Sequence, residues 1–329
     1  MRVRTAAALS AISIFLVLAP AAQAQPDWWS SFKAQAPSVE QSGRREWVWQ
    51  GKDSLRYGGS GHVRYEPGGA PRIIVTGDQD EVANIEVDGG TIRRRDTPGF
   101  NFNFRRNDPR LEILVQGVAL NSFDLSGSAT MDLGRLQRDT LDLGVHGSGI
   151  LNVQGQAKRL NLRVDGSGHA NLDQLNAGAA DIAVNGSGST TMGAIGEDAD
   201  IHVTGSGKAR VGDVGKSADI HVTGSGAAIL GRANDVTAKL TGSATVRLVS
   251  QPQRSDYDIK GSGRVLLVGP DGKTTELARM RRPDEEIRAQ RERERDAARA
   301  ERERQRERDQ AERDRERERE RAQRERDRN

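Results

Sequence analysis

Apolar residues fall at every second position through most of residues 121–270, and the alternation restarts on a fixed step. A Gly-Ser pair marks each restart: Gly127-Ser128, Gly147-Ser148, Gly166-Ser167, Gly186-Ser187, Gly205-Ser206, Gly224-Ser225, Gly242-Ser243 and Gly261-Ser262, with steps of 20, 19, 20, 19, 19, 18 and 19 residues. Two positions before each glycine stand Leu125, Val145, Val164, Val184, Val203, Val222, Leu240 and Ile259. Four before it come Phe123, Leu143, Leu162, Ile182, Ile201, Ile220, Ala238 and Tyr257. Four and six after it, pairs such as Leu151 and Val153, Ala209 and Val211, or Val246 and Leu248 repeat the pattern. Period-two alternation describes a strand with one buried face. Each repeat therefore reads as strand, Gly-Ser corner, strand and short return, with Leu136, Leu175, Ile195 and Val214 plugging the return side.

A unit this short cannot bury a core alone, and a period near 20 residues signals stacked repeats. The two-residue Asn-Gly or Asp-Gly loops of hairpins do not join the strands. Stacking equivalent strands in parallel sets valine over valine and serine over serine. The expected fold is all-β, a parallel β-solenoid with coils of about 19 residues spaced about 4.8 Å apart. Glycine at the corner supplies positive φ and close backbone approach. The serine hydroxyl is free to bond a neighbouring coil or local backbone.

The phrases DIAVNGSG, DIHVTGSG and VDGSG, with the run-in RIIVTGD and LEILVQGVALNSFDLSGSA, resemble the auto-transporter adhesin head (GIN) domain family over roughly residues 45–270. The resemblance implies a right-handed parallel β-solenoid (β-helix) in an exported bacterial protein, and it carries over no functional residues. Nothing after Gly269 reads as the alternating membrane strands of a translocator barrel.

The remaining segments divide the chain further. Residues 1–24 have the form of a secretory signal: Arg2 and Arg4, an apolar stretch from Ala6 to Leu18, and the small-residue site Ala22-Gln23-Ala24. Residues 25–44 read as a linker. Residues 45–120 alternate like strands without the Gly-Ser period, and are expected to form irregular capping coils because solenoid ends need atypical terminal repeats. Phe100, Phe102 and Phe104 belong either to that cap or to an exposed sugar- or protein-binding strip. Residues 271–329 leave the solenoid as a linker and an Arg/Glu-rich tail, helical or disordered, with Ile287 its single large apolar residue from Asp284 onward.

With 329 residues, no Cys and a net charge of +3, stability must come from coil stacking rather than disulfides. Arginine runs interleaved with acids argue against nucleic acid as a partner. No integral membrane segment is expected after signal cleavage, and the protein is placed as exported, periplasmic or at the cell surface. The outward columns supply the candidate site residues. Asp181, Asp200 and Asp219 form a ladder five positions before the corner glycine, and His202 and His221 lie three before it on adjacent coils. Like charges stacked on neighbouring strands repel, so the aspartates require water, donors or a cation; the His pair lacks an evident third metal ligand. No catalytic, cofactor-binding or metal set is assigned. The function expected is a non-catalytic interaction module whose rigid face meets a glycan, protein or envelope component. A carbohydrate-active β-helix enzyme and a purely structural spacer are the alternatives.

Overall fold

The computed structural model describes residues 32–95 and 111–279, together with Arg295 and Glu301. The signal segment 1–24, the start of the linker, Phe100, Phe102, Phe104 and nearly all of the charged tail lie outside the described residues.

The fold is a parallel β-solenoid of about eight turns. Its first wall comprises the strand leading into each corner. Val145, Val164, Val184, Val203, Val222, Leu240 and Ile259 are parallel partners in one unbroken column. From Val145 to Leu240 that column is at most 1% exposed. A further inward column, six positions before the glycine, continues the alternation: Leu141, Leu160, Ala180, Ala199, Ala218 and Val236 are buried and in register. The second wall stacks Met131, Leu151, Ala170, Thr190, Ala209, Ala228, Val246 and Val265.

The corner is held by main chain. Each corner serine donates its N–H to the glycine carbonyl of the preceding coil, as in Ser187 to Gly166 and Ser206 to Gly186, both at 2.8 Å. The serine hydroxyls on these corners are exposed and make no hydrogen bond among the described residues, so the hydroxyl ladder expected there gives way to an amide ladder. Gly205 shows why the preceding position is glycine: its φ is +102°, and an added Cβ would lie 2.6 Å from Gly186 O.

Residues 45–120 hold one more corner than the regular period reveals. Gly59-Ser60-Gly61 joins Ser54–Gly59 to His62–Glu66. These strands stack in parallel under Ser122–Gly127 and the start of Thr130–Gly147, with Gly59 beneath Gly127. The chain then builds downward before returning: Thr91–Arg94 and Glu112–Gln116 lie on the far side of the same two strands. Spatial order thus departs from chain order. Antiparallel strands close this end, with Ile85–Asp88 on the first wall and Arg72–Thr76, Arg44–Val48 and Val39–Gln41 in succession on the second. The segment read as a linker therefore ends in strand. Likewise Thr274–Arg279 folds back antiparallel on Arg264–Val268 through the turn at Asp271-Gly272, so the sheet extends past residue 270.

The return side differs along the stack. In Thr130–Gly147, Ile150–Gly166 and His169–Gly186 the strand runs through the return, pairing Leu136 with Gly155 and Gly155 with Leu175. Beyond Met192 the return is no longer continuous strand and is joined by the bridges Ala177–Ile195 and Ile195–Val214 and by single backbone hydrogen bonds such as Val214 N–H to Arg232 O at 2.7 Å. Gly193, Gly196, Gly212 and Gly215 flank the plugs there, and glycine weakens strand interiors. Leu136, Leu175, Ile195 and Val214 are all at most 3% exposed, as plugs should be.

Two substitutions test these faces. Val203→Asp buries a carboxylate between Val184 and Val222 and is expected to cost about 3–5 kcal/mol, whereas Thr204→Asp on the exposed face should stay within about 0.5 kcal/mol; equal losses in chemical denaturation would mean the faces are exchanged. Thr190 is 1% exposed and its hydroxyl has no hydrogen-bond partner. Thr190→Val keeps the shape and removes the orphaned hydroxyl, so the midpoint of unfolding should rise, by about 1 kcal/mol. A fall would show that the hydroxyl is satisfied.

Candidate functional site

Parallel stacking turns the outward positions of each wall into columns. The structure brings Asp181, Asp200 and Asp219 into direct register, bounded by Asn161 on one side and Thr237 on the other. His202 and His221 are also in register. The imidazoles meet edge to face, centroids 4.7 Å apart, with His221 Nδ1 2.9 Å from His202 Nε2. His202 Nδ1 lies 3.1 Å from Asp200 Oδ1. Asp200, His202 and His221 thus form one polar chain across two coils. Its ring nitrogens face each other at hydrogen-bonding distance. Among the described residues no group of three or more His, Cys, Asp or Glu side chains is arranged to hold a metal ion.

At two further histidine sites one acid partner lies in the histidine's own column and the other in the next. His146 sits between acids of the coils below and above, with Nε2 3.1 Å from Asp124 Oδ1 and Nδ1 3.1 Å from Asp165 Oδ2. Gly144 makes room for this: a Cβ there would lie 2.8 Å from Asp124 Oδ1 and 3.2 Å from His146 Nε2. Arg163 and Asn185 also donate to Asp165, at 2.7 and 2.8 Å. On the second wall His62 bridges Glu112 at 3.0 Å and Asp132 at 2.6 Å, and Asn152 donates to Asp132 at 2.7 Å. The signal was present in the sequence, because each histidine has acids at outward positions one coil away. Asp165 shares the column of His146 and Glu112 that of His62, while Asp124 and Asp132 lie one outward column over.

These contacts move protonation equilibria. The nearby Asp124 carboxylate, and next the fields of Asp124 and Asp165, raise the pKa of His146 against partial burial and Arg163. Burial works to raise Asp165, but the donors Asn185 and Arg163 outweigh it and hold the carboxyl below its usual range. Asp132 behaves alike: burial opposes, and Asn152 and His62 prevail.

Chemically, these are charge-relieving bridges between coils. His169 Nδ1 lies 2.7 Å from Ser189 Oγ, a nucleophile–base type of pair, but no carboxylate among the described residues orients that imidazole.

A family model described as "Putative auto-transporter adhesin, head GIN domain" matches residues 53–232, more than half of the chain, and the chain belongs to that family. No curated protein matches the sequence. Three solved structures are similar over 68% of this chain and 94% of their own. A protein from Parabacteroides distasonis described as a putative lipid binding protein is 21% identical with a TM-score of 0.57. A putative adhesin from Parabacteroides merdae is 18% identical, also at 0.57. A second Parabacteroides distasonis protein, described as a putative adhesin, is 18% identical at 0.51. At these identities the likeness is one of fold.

His146 gives a pH test. Its folded pKa lies above the unfolded value of about 6.5. Its stabilising contribution is therefore complete below that value and is lost as pH rises through the raised folded pKa. The wild type should lose stability relative to His146→Gln as pH rises from the acid side of neutrality into the alkaline range, by no more than about 1 kcal/mol given the solvent exposure of the site. Parallel melting curves at a series of pH values decide it: an unchanged difference across the range would remove the Asp124–His146–Asp165 bridge as a charged interaction.

Proposed function

We propose that this member of the head GIN domain family is a non-catalytic, exported interaction module that presents a preformed solenoid face to a component of the cell envelope. The observation that supports this most strongly is the register itself. Outward side chains repeat at the strand spacing over several coils on a frame whose inward columns are almost fully buried. A rigid, pre-ordered surface loses little conformational freedom on binding. The solved relatives described as adhesins and as a lipid binding protein are consistent with a binding role and name no reaction.

The family and the form of residues 1–24 support export, to the periplasm or the cell surface on this reading. No described helix is long and apolar enough to cross a membrane.

Co-sedimentation of the purified protein with isolated envelopes of the source organism tests the proposal. Saturable binding, competed by unlabelled protein, is the expected result. Sedimentation no greater than that of an unrelated β-solenoid would remove the interaction reading and leave the spacer. Turnover of a uronate polysaccharide would instead establish the enzyme alternative.

A further inference from the structure

The three coils whose return stays in strand carry a surface unlike the rest of the solenoid. Where the second wall turns into the return, their outward positions form three adjacent columns. One contains Asp132, Asn152 and Asn171; the next Arg135, Gln154 and Gln174; the third Gln137, Gln156 and Asn176. Side-chain carboxamides occupy every position except Asp132 and Arg135. Columns are about 4.8 Å apart from coil to coil and about 7 Å apart along the strand, so the amides form a grid.

Two cavities lie on this grid, of about 430 and 510 Å³, and they adjoin along the column of Gln154 and Gln174, which lines both. Gly134 lines the first and Gly155 the second. The result is a shallow polar groove running across the coils.

The glutamines are not used to hold the coils together. Elsewhere amides bridge neighbouring coils, as Asn161 does to Asp142 at 2.6 Å and Asn185 to Asp165 at 2.8 Å. Gln137, Gln154, Gln156 and Gln174 are exposed and make no side-chain hydrogen bond among the described residues. Each offers one acceptor oxygen and two donor hydrogens at a fixed spacing.

From this we infer that the groove over Gln154 and Gln174 binds a linear, neutral glycan, an assignment that rests on the interaction-module reading and specifies its face and ligand. Hydroxyl groups both donate and accept, which matches carboxamides in either orientation. The lining mixes signs, Arg64 and Arg135 among Glu66, Asp132 and Asp173, with one acid in excess, so no single-sign field selects a polyanion or a polycation. The aromatic platforms that stack nucleobases are absent from the lining, and so are the buried aromatic anchors of protein interfaces. Tyr65 faces inward at 0% exposure.

Affinity electrophoresis of the full chain tests the inference, with hydroxyethylcellulose, dextran and galactomannan as neutral probes and polygalacturonate as the anionic one. At least one neutral polysaccharide should retard the protein. The double variant Gln154→Ala/Gln174→Ala should weaken that retardation about tenfold, with an unchanged melting curve because both side chains are exposed. Thr204→Ala/Thr223→Ala on the first wall should leave it unaltered. Retardation by no neutral probe, by polygalacturonate alone, or equally in the glutamine variant overturns the glycan assignment. If the protein nevertheless sediments with envelopes, the interaction reading survives that failure; if it does neither, both fall.

Discussion

Every feature of this protein answers to one constraint, the in-register parallel hydrogen-bond ladder between coils. A parallel ladder tolerates no local slip, because a shift of one residue would send the inward column outward. The corner is where slip would be easiest, and there the chain uses the one residue whose backbone can take φ near +105° under a carbonyl 2.5–2.8 Å from where a Cβ would be. The serine that follows contributes its N–H. That explains why a hydroxyl residue can recur at the corner without any hydroxyl bond in the structure.

The same ladder creates an electrostatic problem on the outer faces. Identical repeats place identical charges at strand spacing, where they repel. The chain answers by varying the columns. Imidazoles are set between carboxylates at His62 and His146, asparagines donate to aspartates one coil below, and Arg232 and Arg254 reach Asp213 and Asp235 on the preceding coil at 2.7 and 2.6 Å. Exposed pairs of this kind contribute little to stability individually. Their collective effect is to let strict stacking coexist with a charged surface.

The inward columns were legible because burial imposes a strict period. Val164, Val184 and Val203 repeat in type and spacing, and the structure stacks them as read. The ninth corner at Gly59 was not, although Tyr57, Leu55, Val63 and Tyr65 stand at the proper offsets. The next corner does not arrive until Gly127, because the chain builds the terminal coil and its antiparallel closure in between; a period search sees only neighbours in sequence. The Asp and His columns were read from single offsets, and their backbone positions stack in register. The bridges at His146 and His62 each join one acid in register and one at a different offset, and the amide grid depends on whether the return remains in strand, which the repeat length alone does not reveal. Register supplied that information: Leu136 pairs with Gly155, and Gly155 with Leu175, through the return.

The two ends and the two halves of the stack are consequently unequal. At one end both walls are closed by antiparallel strands over Trp47, Tyr57, Tyr65 and Phe123. At the other, Thr274–Arg279 closes the second wall, and Arg254–Gly261 pairs on one side with Asp235–Gly242. That last strand alternates Arg254, Asp256, Asp258 and Lys260 outward, the charged blunting that discourages edge-to-edge association. Continuous strand on all three sides is confined to the half near the closed end, while beyond Met192 the glycine-flanked returns are joined by isolated bridges and by single backbone hydrogen bonds such as Gly215 N–H to Ile195 O and Lys216 N–H to Glu197 O, both at 2.9 Å. A surface that holds a ligand by many weak hydrogen bonds gains from lying on a part of the frame already in continuous strand, because each contact then requires no further ordering of the frame. The amide grid lies on that part, and the simplest columns, of alanine, threonine and histidine, lie on the other.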